Sequence, residues 1–130
     1  MSRLRALIPD TVTIGISGDA SAAVGLLAGC DVWYSVLAGV LPEVCLQITR
    51  AAQASDGERA LALSARLEPL WALFAQHGSL RVASAIAEEL GLVGSPNLPL
   101  PLRGLDAGGR AAVRAAIDML SRIRYGQNAG

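Results

Sequence analysis

Residues 11–37, TVTIGISGDASAAVGLLAGCDVWYSVL, decide the fold of this chain. The segment at residues 11–16 is short, β-branched and apolar, with turn residues on both sides, which is typical of a strand buried on both faces in a parallel sheet. A small apolar helix at residues 20–28 ends at Gly29, and residues 32–37 form a second buried strand. The sequence therefore predicts a strand–helix–strand unit with a right-handed crossover.

From Pro42 onward the sequence changes to a succession of helices joined by short breaks. Pro69 is expected to kink one of these helices or to mark a joint in it. Ser79 and Asp106 are predicted N-caps, and a proline-rich extended linker precedes the last helix. The helices are predicted at residues 42–54, 58–76, 79–90 and 106–124, and the linker at residues 93–103.

Two parallel strands alone do not make a stable sheet. Each has an unpaired edge, and each has apolar faces that need cover. Strands of this composition imply neighbouring strands that the chain does not contain. Another copy of the chain, or another part of the same protein, is expected to supply them.

Composition excludes several classes of function. The chain has 130 residues, of which 52% are hydrophobic and 17% charged, far from the balance of a disordered protein. Eleven basic residues offset eleven acidic ones, so we expect no nucleic acid and no membrane as a partner. The apolar stretch at residues 20–42 is interrupted by glycines and Asp31, which favours a buried helix and strand over a membrane span. No secretory signal opens the chain, and the predicted localisation is cytoplasmic.

Side chains that often carry chemistry are scarce. Cys30 and Cys45 form no CxxC pair and His77 is the single histidine, so we expect no metal site and no cofactor. Both cysteines are interpreted as small buried hydrophobic residues in their reduced form. His77 is interpreted as a helix C-terminal residue before Gly78. All basic residues are arginines, so no lysine is present to form an imine with a carbonyl substrate.

Residues 14–40 resemble two consecutive strands of the dihydrodipicolinate synthase / N-acetylneuraminate lyase family. Two motifs carry the resemblance: the S-G-D that ends the family's seventh strand, and the G-x-x-G-x-I-S-V of its eighth. They are matched by Ser17, Gly18 and Asp19 and, loosely, by Gly29, Tyr34, Ser35 and Val36. Residues 78–93 and the LPLPL at residues 98–102 resemble the family's penultimate helix and the linker that follows it.

This resemblance implies an α/β fold class, the C-terminal portion of a (β/α)8 TIM barrel. Residues 1–55 would form strands 7 and 8 with their helices, the last two βα units, and residues 56–130 a C-terminal helical extension. Family members join pyruvate to an aldehyde, or cleave such adducts, through an imine on a lysine of the sixth strand. That lysine is absent here, and no catalytic residue is expected. The resemblance thus implies an inactive piece of a Schiff-base aldolase that acts on pyruvate or a related 2-oxo acid and forms a homo-oligomer.

The same resemblance implies four substrate-binding residues. Ser17, Gly18 and Asp19 match the strand tip that lines the pocket for the second substrate, and Tyr34 matches a position whose backbone faces bound pyruvate. Barrel chemistry lies at such carboxyl ends of strands. The residues alone equally allow a tight turn with an N-cap at Ser17–Asp19 and a core aromatic at Tyr34. Trp33 is expected to point into the helix layer, and its bulk, with that of Tyr34, indicates a substrate other than that of the lysine-biosynthetic enzyme.

Two other functions stay open at this point. One is a non-enzymatic helical oligomerisation module that dimerises through its apolar faces. The other is a half-barrel that binds a phosphate or sugar acid at the turn around Gly18.

Overall fold

A computed structural model of the chain describes residues 2–126, and the side chains of residues 3–121. The chain divides into two compact units, Met1–Ala65 and Arg66–Gly130. The boundary lies after the fourth helix because that helix packs on two helices of the first unit.

The first unit contains a two-stranded parallel sheet. Strand β1 spans Gly15–Ser17 and strand β2 spans Val32–Tyr34, paired residue by residue from Gly15 with Val32 to Ser17 with Tyr34. Because side chains alternate along a strand, the sheet has two different faces. One face carries Gly15, Ser17, Val32 and Tyr34, and the other carries Ile16 and Trp33.

Helices connect and flank these strands. Their bounds are α1 Ser2–Arg5, α2 Ala22–Leu27, α3 Pro42–Gln53 and α4 Gly57–Ala65, with single 3-10 turns at Asp19–Ser21 and Leu37–Gly39. Helix α2 packs closely on β1: a Cβ atom on Gly25 would lie 2.8 Å from Ile16 Cγ1, so this position requires glycine. The buried core of the unit includes Leu37, Cys45, Ile48, Ala51, Ala60 and Leu63.

The second unit is helical. It consists of α5 Glu68–His77, α6 Ser79–Glu89 and α7 Ala107–Gly126. Its core is built from large aliphatic side chains and one tryptophan, with Leu70, Trp71, Val82, Ile86 and Val113 buried. The segment between α6 and α7 is tied to α6, because Arg81 donates to the carbonyls of Arg103 at 2.9 Å and Gly104 at 3.0 Å.

The structure tests three local predictions about helix ends. The joint at Pro69 is confirmed, since the predicted helix at residues 58–76 is divided into α4 and α5 with Pro69 in the first turn of α5. Asp106 is confirmed as a cap because its carboxylate accepts the Gly109 amide at 2.8 Å. Ser79 was the wrong cap: Gly78, with φ +84°, holds that position and Ser79 is the first residue of α6.

The predicted fold class is wrong. The resemblance implied the C-terminal portion of a (β/α)8 barrel, and the sequence predicted six-residue strands buried on both faces. The described residues instead form mostly helices, with one two-stranded sheet in the first unit. Strand β1 starts late because residues 9–12 form a turn in which the Val12 amide bonds the Pro9 carbonyl at 3.0 Å. Strand β2 ends early because Asp19 bonds the amides of Val36 and Leu37. Nor are the strands doubly buried, since Ser17 and Tyr34 are exposed.

Candidate functional site

The carboxyl ends of β1 and β2 lie side by side because the strands are parallel. Ser17 faces Tyr34 at the last paired position, and both residues are exposed. Gly18 follows with φ +92°, a backbone conformation that side chains of L-residues disfavour, so the turn requires glycine. Three of the four site residues predicted from the sequence thus meet at one exposed edge.

Asp19, the fourth predicted residue, is only 5% exposed and is engaged within the chain. Its Oδ1 atom accepts the Trp33 indole N–H at 3.0 Å and the Val36 amide at 3.2 Å, and its Oδ2 atom accepts the Leu37 amide at 2.8 Å. A buried carboxylate with charge-assisted bonds on both oxygens holds structure strongly. Asp19 therefore ties the end of β1 to the residues that follow β2.

The ring of Tyr34 lies against Gly15 of the neighbouring strand. A Cβ atom on Gly15 would lie 2.5 Å from Tyr34 Cε2 and 3.1 Å from Cδ2, so glycine makes room for the ring. The ring thus leans along the sheet toward the amino end of β1. Trp33 lies on the opposite face with Ile16, which packs on α2, and this confirms its expected place on the helix side.

A second carboxylate holds the amino ends of the strands. Asp31 Oδ2 accepts Arg5 Nη2 at 2.6 Å and the Ile14 amide at 2.7 Å. Arg5 also donates to the carbonyls of Val12 at 3.1 Å and Gly29 at 3.3 Å. The hydrogen bond from Arg5 has the largest effect on the pKa of Asp31, and that from the Ile14 amide has the next largest. Together they hold this pKa below its ordinary value. This cluster could not be predicted from the sequence because its members are far apart in the chain.

A cavity of about 430 Å³ lies between β2, α2 and α3. Leu26, Trp33, Ser35, Cys45 and Leu46 are among the residues that line it. Burial raises the pKa of the Cys45 thiol to about 11, against a smaller lowering effect of Ser35, so the thiol is neutral near pH 7. None of the four predicted site residues lines the cavity, although Ser35, which directly follows Tyr34, does.

Other sequence predictions concern chemistry away from the strand ends. Cys30 and Cys45 are both free and buried, as expected. His77 is the last residue of α5, which confirms its expected position. Within the described residues, no three His, Cys, Asp or Glu side chains come together to hold a metal ion. None of the helices in that part of the chain is both long and apolar enough to cross a membrane.

Comparison with known proteins gives a consistent set of relatives. Residues 1–120 match the dihydrodipicolinate synthetase family. A 4-hydroxy-tetrahydrodipicolinate synthase from Methylococcus capsulatus is 36% identical over 118 residues, which is 90% of this chain and 40% of the relative. The structure of dihydrodipicolinate synthase from Agrobacterium tumefaciens is similar with a TM-score of 0.87 and 44% identity, covering 92% of this chain and 40% of that one.

A third relative carries a ligand in its structure. Chloride-inhibited dihydrodipicolinate synthase from Acinetobacter baumannii, complexed with pyruvate, is 25% identical with a TM-score of 0.75, over 83% of this chain and 37% of that one. The chain thus spans about 40% of the length of the first two relatives. The extent of the family match also corrects the predicted position in the barrel. The match begins at residue 1. It does not support the assignment of β1 and β2 to strands 7 and 8 in a C-terminal portion. On the family match and these identities together, the chain belongs to the dihydrodipicolinate synthetase family.

Proposed function

We propose that this chain is one piece of a Schiff-base aldolase that forms or cleaves carbon–carbon bonds of pyruvate or a related 2-oxo acid. The observation that carries the proposal is its 44% identity to dihydrodipicolinate synthase from Agrobacterium tumefaciens over 92% of its own length. The chain spans 40% of that enzyme, so a second polypeptide segment completes the barrel. Within the piece, residues 1–55 carry the βα units and residues 56–130 the helical extension.

Residue chemistry determines which of the two polypeptides supplies the imine-forming amine. Imine formation with a 2-oxo acid requires an amine, and the chain has eleven arginines but no lysine. Guanidinium groups stay protonated and do not serve as nucleophiles at neutral pH. The completing segment therefore supplies the lysine, and this chain supplies part of the pocket wall.

In that wall, Ser17, Gly18 and Tyr34 face the substrate, and Asp19 supports them from behind. The supporting arguments are the exposure of the first three at the carboxyl edge of parallel strands and the internal hydrogen bonds of Asp19. The Tyr34 ring lies over Gly15 and narrows the space on that sheet face, which favours a substrate different from that of enzymes with a smaller aliphatic residue there.

Borohydride trapping tests the proposal. The chain is mixed with the part of the Agrobacterium tumefaciens enzyme outside the matched region, then with pyruvate and borohydride, which reduces an imine to a stable amine. Mass spectrometry is expected to show one reduced pyruvate on the added segment, only when both polypeptides are present. The chain alone is expected to carry none, because it has no lysine.

Two controls make the trapping experiment decisive. Replacement of the imine-forming lysine of the added segment by arginine is expected to abolish the adduct. A Tyr34→Ala variant of the chain is expected to preserve adduct formation and to alter which aldehydes are accepted. An adduct of equal yield without the chain, or no adduct with both polypeptides present, would show that this function is wrong.

We propose a homo-oligomer for the completed enzyme. Exposed apolar side chains occur on several helices, including Leu61, Leu80 and Met119, and they supply candidate contact surfaces. The same feature is what favours the alternative function, a non-enzymatic helical oligomerisation module. In that case the chain alone forms a stable oligomer, and the added segment changes neither its size nor its chemistry.

A further inference from the structure

We propose that Gly15 determines which aldehydes this site accepts, because it lets the Tyr34 ring lie away from the carboxyl ends of the strands. The inference rests on the proposed function and deepens it, since it concerns the second substrate of the same reaction. The substrates that Gly15 permits are aldehydes with a bulky body, which need the space beside Ser17 and Gly18.

The backbone of Gly15 does not itself require glycine. Gly15 is the first residue of β1 and pairs with Val32 in the parallel register. Its φ does not lie in the positive range, in contrast to that of Gly18. A glycine in a strand weakens it, because glycine adds conformational freedom and has no side chain to pack. Its presence in a strand of three residues therefore indicates a group that approaches the backbone closely.

The group that approaches Gly15 is the ring of Tyr34. Tyr34 pairs with Ser17, so its ring reaches Gly15 diagonally across the two strands. Aromatic side chains span this diagonal distance. A Cβ atom on Gly15 would lie 2.5 Å from Tyr34 Cε2, much closer than nonbonded carbon atoms come. The ring is part of a side chain that stays 65% exposed, so burial in the chain's own core does not account for its position.

A side chain at position 15 would displace the ring rather than the strands. The clashing atoms belong to the far edge of a flexible side chain, whereas both strands are held at their ends by carboxylates. Val32 precedes Tyr34 by two residues on the same face and comes within 3.3 Å of the same Cβ position, so it occupies the amino side. The ring would therefore swing off the sheet, toward the space in front of Ser17.

This displacement would remove space from the second substrate. With glycine at position 15, the ring lies toward the amino ends of the strands and leaves the space beside Ser17 and Gly18 open. A bulky aldehyde fills that space, and the exposed ring of Tyr34 supplies an apolar surface for its body. A small aldehyde does not reach the displaced ring, so a Cβ atom at position 15 discriminates between the two by size.

Nuclear magnetic resonance of the free chain tests the position of the ring. Nuclear Overhauser contacts are expected between the Hα protons of Gly15 and the ring protons of Tyr34, because their carbon atoms lie so close. In Gly15→Ala, the contacts of the ring with Ser17 are expected to strengthen. The first of these measurements needs no variant, so it remains informative if Gly15→Ala does not fold.

Aldol condensation by the completed enzyme tests the specificity. The chain is combined with the part of the Agrobacterium tumefaciens enzyme outside the matched region, and kcat/KM is measured for benzaldehyde and for acetaldehyde with pyruvate. Gly15→Ala is expected to lower kcat/KM for benzaldehyde on the order of 10-fold relative to that for acetaldehyde. Gly57→Ala is the matched control and is expected to leave this ratio unchanged, because its Cβ atom would meet Leu27 at 3.7 Å, an ordinary contact.

A Tyr34→Leu background shows whether the ring mediates the effect. In that background, Gly15→Ala is expected to leave the ratio of the two kcat/KM values unchanged, because the group that it displaces is absent. A merely structural role of Gly15 would instead lower both values equally and in both backgrounds. Circular dichroism of each variant verifies the fold.

Three results would overturn the assignment: no contact between the Tyr34 ring and Gly15, turnover of acetaldehyde without turnover of benzaldehyde in the unaltered complex, or equal effects of Gly15→Ala on the two aldehydes. The proposed function fails in a different way. No imine in the unaltered complex refutes the aldolase function and the specificity role with it. An imine together with an unchanged aldehyde ratio in Gly15→Ala refutes the specificity role alone.

Discussion

The two compact units of this chain achieve order in different ways. Met1–Ala65 holds two three-residue strands in place with two carboxylates, Asp19 at their carboxyl ends and Asp31 at their amino ends. Arg66–Gly130 packs large aliphatic side chains between three helices. The two carboxylates of the first unit accept the backbone amides of Ile14, Val36 and Leu37 at the strand ends. The helices of the second unit satisfy most of their backbone hydrogen bonds internally.

This difference concerns the groups that each unit leaves uncovered. Helices pair their backbone groups internally, so what a helical unit needs most is cover for its apolar stripes. A two-stranded sheet keeps an unpaired backbone edge on each side. The first unit is therefore the one that keeps unpaired backbone groups at its sheet edges, and its two carboxylates hold the ends of the two strands. Substitutions in the two units are expected to differ accordingly.

The largest effect is expected from the aliphatic core of the second unit. Ile86 is 0% exposed, so Ile86→Ala removes buried methyl groups and leaves a cavity. We expect the free energy of unfolding to fall by about 2–5 kcal/mol. Urea titration followed by Trp71 fluorescence in a Trp33→Phe background measures it. Leu80→Ala, on the same helix but 52% exposed, is the matched control and is expected to change stability by less than about 0.5 kcal/mol. Equal effects of the two substitutions would refute the core assignment.

A smaller but more local effect is expected at the carboxyl ends of the strands. Asp19→Asn keeps the size of the side chain but replaces one carboxylate oxygen, a hydrogen-bond acceptor, with an amide nitrogen, a donor. That nitrogen then faces an N–H group, which is also a donor. We expect a loss of about 1.5–3 kcal/mol, since bonds to a buried charged group are lost and a donor is left unpaired. Trp33 fluorescence in a Trp71→Phe background measures it and is expected to shift to longer wavelength.

The exposed Asp10 supplies the control for this substitution, and Asp10→Asn is expected to be neutral within about 0.5 kcal/mol. Unaltered stability and unaltered Trp33 emission in Asp19→Asn would show that the carboxylate does not hold the strand ends. Asp19 would then be available to a substrate, as the sequence resemblance implied.

Much of the fold was predictable because helix signals are local. The joint at Pro69 and the cap at Asp106 depend on residues within one turn of each other, so periodicity and capping rules found them. The strand limits were not predictable in this way. Whether residues 11–14 join the sheet depends on a turn at Pro9 and on contacts with Asp31, whose bonding partners are distant in sequence.

The candidate site shows the same limit. The S-G-D motif correctly identified the family, and Ser17 and Gly18 do lie at the exposed edge with Tyr34. The role of Asp19 could not be inferred, because a carboxylate after a glycine turn can cap a helix, bind a ligand or bond a distant strand. Only the fold brings it to Trp33 and Leu37, 14 and 18 residues away along the chain.

Acid titration of Asp31 is expected to give the smallest effect. It tests this carboxylate of the first unit separately from Asp19. The Arg5 hydrogen bond, with that of the Ile14 amide, lowers the pKa of Asp31 in the folded chain below the ordinary value of 3.8. When the pKa of a carboxyl is lower in the folded chain than in the unfolded chain, its ionised form stabilises the fold at any pH above the unfolded-state pKa. This stabilisation is lost as the pH falls through the folded-state pKa. The carboxyl is exposed and solvent screens its ion pair, so the effect is small. Urea midpoints for Asp31→Asn and the unaltered chain, followed by Trp33 fluorescence from about pH 6 to about pH 2, are expected to differ at the upper end and to converge at the lower. A difference for Asp31→Asn that persists at the acid end would mean that the ionised form of Asp31 does not stabilise the amino ends of the strands.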